Sequence, residues 1–182
     1  FLAGYGLTEA CGPVCVSSGS DAELPEGALG KPLTGIEMCL VEPGTTKVIA
    51  DNEEGELCLL GGSIMTGYYK NEKATADVMR KHKDGRIWLH TGDIVTFDEG
   101  RNIIFRSRCK RMVKINGYNV YPTIIENTME KSPVVSEVCA VSVPWKTDKK
   151  MKLYVTLADS AADRKKAEAE IMAFAKENLN HW

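Results

Sequence analysis

Short apolar runs divided by turn residues dominate the first part of the chain. Ile36-Glu37-Met38-Cys39-Leu40-Val41 and Glu56-Leu57-Cys58-Leu59-Leu60 are bounded by Gly, Pro, Asn and Asp, and read as strands. Ile94-Val95-Thr96-Phe97 and Asn102-Ile103-Ile104-Phe105 flank Asp98-Glu99-Gly100-Arg101, a hairpin pattern. One helix interrupts the strands. Asn71 supplies a cap, and Ala74, Thr75, Val78 and Met79 then recur at helical spacing. Short strands with frequent turns predict a small barrel or meander.

The pattern changes at Ser107-Arg108-Cys109-Lys110-Arg111, a polar, basic stretch between two apolar segments. Beyond it, strands and helices alternate. Positions 112–115 are strand-like, and Pro122 opens a helix with Ile125 and Met129 on one face. Positions 138–143 and 153–157 alternate like strands, and 146–150 read as the loop between them. Ser160 with Asp163 resembles a capping box. In the helix that follows, Ala167, Ile171, Phe174, Ala175 and Leu179 form an apolar stripe. The expected class is α+β, with a β-rich, barrel-like unit over 1–107 and a small α+β domain over 108–182.

Composition narrows the function classes. The 182 residues are 43% apolar, enough for a packed core. A net charge of −2 argues against a nucleic-acid binder, which would show a basic excess. No apolar run approaches the length of a membrane span. The six cysteines are scattered, several of them in apolar runs, and read as free thiols in a reducing, cytoplasmic setting. Cys11 and Cys15 stand four apart, but no second pair follows at zinc-site spacing. His82, His90 and His181 are isolated from one another along the chain, so no structural metal is expected.

Three stretches carry candidate chemistry. In Tyr5-Gly6-Leu7-Thr8-Glu9, the glycine lets backbone pass close to a bound group. The threonine hydroxyl can donate to a phosphate, the carboxylate can hold Mg²⁺, and the ring can stack on a purine. The same five residues also suit an ordinary strand-to-helix turn. In Trp88-Leu89-His90-Thr91-Gly92-Asp93, a carboxylate after glycine at a strand end can accept two hydrogen bonds from a ribose diol. A plain β-turn is the alternative there. Between these lies a segment with Glu56, Gly55, Gly61, Gly67, Tyr68 and Tyr69, whose glycines are expected at turns and whose Glu56 is expected to anchor backbone. The third stretch runs from Phe105 through Arg108, Lys110, Lys114, Gly117, Tyr118 and Asn119 to Pro122. A basic linker would explain its lysines but not its glycine and proline spacing.

Taken together and in this order, the stretches resemble the later part of the adenylate-forming superfamily. That superfamily holds the AMP-dependent synthetases and ligases, among them the acyl-CoA synthetases. The resemblance implies an acid–thiol ligase: a carboxylate, of a fatty acid or a related acid, reacts with ATP to an acyl-adenylate, and CoA then takes the acyl group. It implies ATP/AMP, Mg²⁺ and CoA as ligands. Thr8, Glu9 and Lys114 would be catalytic, with Glu9 holding Mg²⁺. Tyr5, Gly6, Thr8, Asp93, Arg108 and Asn119 would bind the nucleotide, and Gly117 and Tyr118 the CoA arm. Lys110 would be the hinge of a small C-terminal lid domain. The chain departs from the family pattern at Ser107, where glycine is usual, and at Ile124, where glutamate is usual.

No phosphate loop ending in Pro-Lys-Gly occurs, and the chain stops before the family's adenylation lysine. It therefore reads as a fragment, inactive alone and inclined to self-associate through apolar surface left uncovered. Two alternatives stay open. One is an adenylation domain that loads a carrier protein, and the other is a non-catalytic β-rich binding module.

Overall fold

The computed structural model describes residues 3–17, 27–159 and 163–179. They form two compact units, Phe1–Cys109 and Lys110–Trp182. The chain is α+β and strand-rich.

In the first unit the strands are β1 (Gly4–Leu7), β2 (Gly12–Val16), β3 (Lys31–Pro32), β4 (Ile36–Val41) and β5 (Gly55–Gly61). Helix α1 (Glu72–Val78) follows, then β6 (Met79–Lys81), β7 (Ile87–Phe97) and β8 (Ile103–Arg108). Strands β1, β2 and β3 make one antiparallel sheet. A second sheet runs β4-β5-β7, with β6 and β8 lying end to end along the far edge of β7. The barrel expected from the frequent turns is not closed among the described residues. This sheet ends at β4, and the 11 residues of β7 carry two short neighbours in succession on one edge rather than one strand that could continue around.

Alternation sets the core. On β5, Leu57 and Leu59 face a cluster with Leu40, Leu89, Val95 and Ile103, while Cys58 faces the opposite side with Val41 and Trp88. Two glycines expected at turns, Gly55 and Gly61, are the first and last residues of β5. An added Cβ would sit 2.8 Å from the Val41 carbonyl oxygen at Gly55 and 2.7 Å from the Gly35 carbonyl oxygen at Gly61. Close backbone packing selects glycine at these strand ends. Helix α1 begins as its sequence predicts. The Asn71 side chain accepts a hydrogen bond from the Ala74 amide at 3.1 Å. Asn71→Ala is expected to cost about 1 kcal/mol, read as a lowered midpoint in denaturant melts. An unchanged midpoint would mean that the turn at Tyr68 holds the helix start without the cap.

The second unit contains β9 (Val113–Ile115), β10 (Tyr118–Val120), α2 (Pro122–Met129), β11 (Val135–Trp145), β12 (Asp148–Leu157) and α3 (Arg164–Asn178). Asn116 and Gly117 both take positive φ, 49° and 84°, and close β9 onto β10 as a two-residue turn. Pro122 occupies the first turn of α2, and Ile125 and Met129 are buried on one face. Strands β11 and β12 are longer than their apolar cores suggest. They pair out to Trp145 and Asp148, so the loop expected over 146–150 shrinks to Lys146 and Thr147. Lys149 and Lys150 are exposed strand residues whose polar side chains hide the strand in the sequence. Asp163 caps α3 by accepting from the Lys165 amide, while its expected partner Ser160 lies outside the described residues, as does His181. Ala167 is buried, and Ile171, Phe174, Ala175 and Leu179 pack on Ile115, Val120, Ile125 and Met129.

Candidate functional site

The first unit gathers Tyr5, Asp93 and Arg108. The Tyr5 hydroxyl donates to Asp93 Oδ2 at 2.6 Å, and Arg108 Nη1 lies 2.8 Å from Oδ1. A bulge makes the second pairing. Phe97, Thr96 and Val95 face Ile103, Ile104 and Phe105, but an extra residue enters β8 between Ile94 and Val95. Ile94 therefore faces Ser107, and Asp93 faces Arg108. Ser107 is fully buried beside that shift, in the position where glycine was expected.

Asp93 is 1% exposed. The approach of Arg108 is off the hydrogen-bond direction, so Oδ1 is ion-paired but makes no directed hydrogen bond among the described residues. Burial raises the Asp93 carboxyl above its ordinary range, against the opposing pull of the Tyr5 hydroxyl and the Arg108 charge. Burial also pushes the Tyr5 phenol up, helped by its bond to Asp93. The turn before Asp93 is tied down. Gly92 has φ 73°, its amide donates to Glu56 Oε1 at 3.1 Å, and the Thr91 hydroxyl donates to the Leu57 carbonyl. Glu56 thus anchors backbone as its sequence context implies. Burial opposes its charge, but the His90 and Gly92 hydrogen bonds prevail and hold the carboxyl below its usual range.

Gly6 sits where β1 presses on β2. A Cβ there would lie 2.4 Å from the Gly12 carbonyl oxygen, so no larger residue fits. Thr8 is exposed in the short 3-10 turn Thr8–Ala10 that follows. Glu9 is half-buried, and its Oε1 accepts the Tyr68 hydroxyl at 2.6 Å. This contact raises the Tyr68 phenol. Tyr68 is a site neighbour that the sequence reading treated as structural. Its spacing from Glu9 gave no sign of the contact.

In the second unit, Lys114 and Asn119 are direct cross-strand partners on β9 and β10, both exposed. Gly117 and Tyr118 are exposed at the tip of the same hairpin, and a Cβ at Gly117 would meet open space. Lys110 is exposed within the 3-10 turn Cys109–Arg111. Glu126 accepts from Arg111 Nη2 at 2.7 Å and from the Ala140 amide at 2.8 Å, which fastens α2 to β11. A broad groove lined by Ile115, Met151, Leu153, Ile171 and Leu179 holds none of the residues expected to be functional.

His82 and His90 are not isolated in space. His82 Nε2 lies 3.0 Å from His90 Nε2, because the turn after β6 returns the chain onto β7.

Residues 1–69 match the family model described as AMP-binding enzyme. The long-chain-fatty-acid–CoA ligase of Salmonella typhimurium is 39% identical over 161 residues, covering 88% of this chain and 28% of that protein. The 4-coumarate–CoA ligase 1 of Arabidopsis thaliana is 33% identical over 180 residues, covering 97% of this chain and 31% of that protein. The o-succinylbenzoate CoA synthetase of Bacillus subtilis, solved with its acyl-adenylate intermediate, superposes with a TM-score of 0.83 at 25% identity, over 100% of this chain and 35% of that one. The chain belongs to the adenylate-forming, AMP-binding enzyme family. It spans about three tenths of the length of the curated relatives named here. No described helix is long and apolar enough to cross a membrane.

Proposed function

We propose that this chain is the later part of an AMP-forming acyl-CoA synthetase that acts on a fatty acid or a related carboxylate. One observation carries the reading: the buried Asp93 carboxylate is ion-paired to Arg108, 2.8 Å from Oδ1, at the end of a rigid turn, and Oδ1 makes no directed hydrogen bond among the described residues. A ribose hydroxyl is the donor that such an oxygen suits. The similarity to acyl- and aryl-CoA ligases over most of the chain supports the reaction class.

In this reading Asp93 and Arg108 hold the ribose, and Tyr5 with Gly6 lines the adenine. Thr8 is exposed and free to meet a phosphate oxygen. Glu9 and Thr8 offer hard oxygen donors of the kind that Mg²⁺ takes, so their chemistry fits that ion. Bound there, Mg²⁺ would neutralise phosphate charge. The protein's own share of the first step is position and charge, holding the α-phosphate for attack by the carboxylate. Lys114 and Asn119 would then face the adenylate from the second unit, with Gly117 and Tyr118 along the CoA arm. Lys110 is the hinge that exchanges the two half-reactions. Free thiols among the described cysteines support a reducing, cytoplasmic setting.

The test uses the longer enzyme that carries this segment. Acid-dependent release of pyrophosphate from ATP, followed by acyl-CoA formation when CoA is added, is the expected result. Acyl transfer to a pantetheinylated carrier protein alone would favour carrier loading. No acid-dependent pyrophosphate release would overturn the ligase reading. Glu9→Gln keeps shape and removes charge. It is expected to raise the Mg²⁺ concentration for half-maximal pyrophosphate release severalfold, and an unchanged Mg²⁺ curve would remove Glu9 from the ion.

A further inference from the structure

We propose that Cys58, His82 and His90 form a buried binding site for a borderline divalent transition ion of the Zn²⁺ class. Each side chain offers one ligand atom, and these atoms lie within 4.8 Å of one another. All three residues are buried, at 0%, 5% and 3% exposure.

Sheet register builds the cluster. Cys39 faces Cys58 across β4 and β5, and Cys58 faces His90 across β5 and β7. The three therefore form a row across one face of the sheet, opposite the face that carries Leu57 and Leu59. His82 comes from the turn after β6 and closes the row. Its ring stacks on Trp88 at a centroid distance of 5.6 Å, and Trp88 is held in turn by Asp84.

The hydrogen bonds point to a ligand. His90 Nδ1 lies 3.1 Å from Glu56 Oε2, and in the tautomer whose Nδ1–H donates to that carboxylate the lone pair stays on Nε2. That lone pair is aimed at His82 Nε2, 3.0 Å away. A carboxylate behind a histidine, with the far nitrogen turned into a cluster of donors, is the arrangement that orients metal ligands. His82 Nδ1 is a buried nitrogen without a partner among the described residues. One thiol and two imidazoles suit a borderline ion and not Mg²⁺, which takes oxygen. The Cys39 thiol neighbours that of Cys58 across β4 and β5 but is not one of the three clustered ligands. A cleft lined by Cys39, His82, Asp84 and Trp88 opens beside the cluster and gives an ion a way in.

The consequence reaches the nucleotide site. Glu56 binds His90 through one oxygen and the Gly92 amide through the other, next to Asp93. An ion on His90 would stiffen the Thr-Gly-Asp turn through this carboxylate. It would also tie β5 and β7 to the turn after β6.

The experiment is a titration of the chelator-stripped 182-residue chain with Co²⁺, then with Zn²⁺. Saturation at one equivalent, with a sulfur-to-cobalt charge-transfer band that Zn²⁺ bleaches, is expected. Cys58→Ser should abolish the band, His82→Gln should remove stoichiometric binding, and Cys139→Ser should change neither. Glu56→Gln should weaken affinity by about 10- to 100-fold, as losses behind a ligand do. Folding of each variant is checked by circular dichroism. Folded wild-type chain that shows no sulfur band at saturating Co²⁺ overturns the proposal, and leaves His82 and His90 as a hydrogen-bonded imidazole pair. A band that survives Cys58→Ser overturns it equally.

Discussion

Asp93→Ala is expected to weaken ATP binding by tenfold or more in the full-length enzyme. A hydrogen bond to a charged group is worth about 1.5–3 kcal/mol, and about 1.4 kcal/mol is a factor of ten. A ribose diol on Asp93 would make two such bonds. The substitution has a second effect in the free protein, because the Tyr5 hydroxyl and the Arg108 guanidinium both lose their partner. Tyr5→Phe separates the two effects. It removes the tyrosine's bond to Oδ2 and leaves Oδ1 in place, so folding stability should fall while most ATP affinity remains. Affinity and stability are read independently, by nucleotide titration and by denaturant melts. Equal ATP affinity in wild type and Asp93→Ala would remove Asp93 from the ribose site and leave it as the buried anchor of the β7–β8 hairpin.

The residues of this site stand in recognisable motifs, but their meeting depends on one bulge. Reading the hairpin from its turn, with Phe97 opposite Ile103, and counting without a slip would set Asp93 against Ser107. The extra residue in β8 moves Arg108 into that place. A bulge leaves no mark in apolar alternation, because it alters the pairing and not the pattern. Strand β4 was legible at its observed bounds because it alternates cleanly between turn residues at both ends. Strand β1 was not, since Gly4 and Gly6 contribute no side chains and extend only because β2 pairs with them. The ends of β11 and β12 escaped for the opposite reason. Their lysines face solvent, and a two-residue turn needs no Gly when Lys146 accepts φ 53°.

The Cys58, His82 and His90 cluster was the largest omission. Sequence rules for metal sites look for ligands close together along one segment. Here Cys58 and His90 are brought together by strand register, and His82 by the return of the chain after β6. Only a correct pairing of β5 with β7 would have revealed it. That pairing itself shifts between Glu56 and Cys58.

Lys110→Pro is expected to separate the two half-reactions of the full-length enzyme. Proline fixes φ near −65°, a value within the range of the 3-10 turn that Lys110 occupies. A hinge must change its backbone angles between states, and proline forbids the change whatever the side chain does. Adenylate formation should survive, so pyrophosphate would still be released in a single turnover. Acyl-CoA formation should fall by orders of magnitude, because the second unit could not present its other face. Lys110→Ala should affect both steps only mildly, since the ammonium is exposed and is given no chemistry. A stopped assay that follows pyrophosphate and thioester in the same sample makes the comparison direct. The reverse pattern, with alanine abolishing adenylation and proline tolerated, would show that Lys110 acts through its charge. The pivot would then have to lie elsewhere in the basic stretch between Arg108 and Val113.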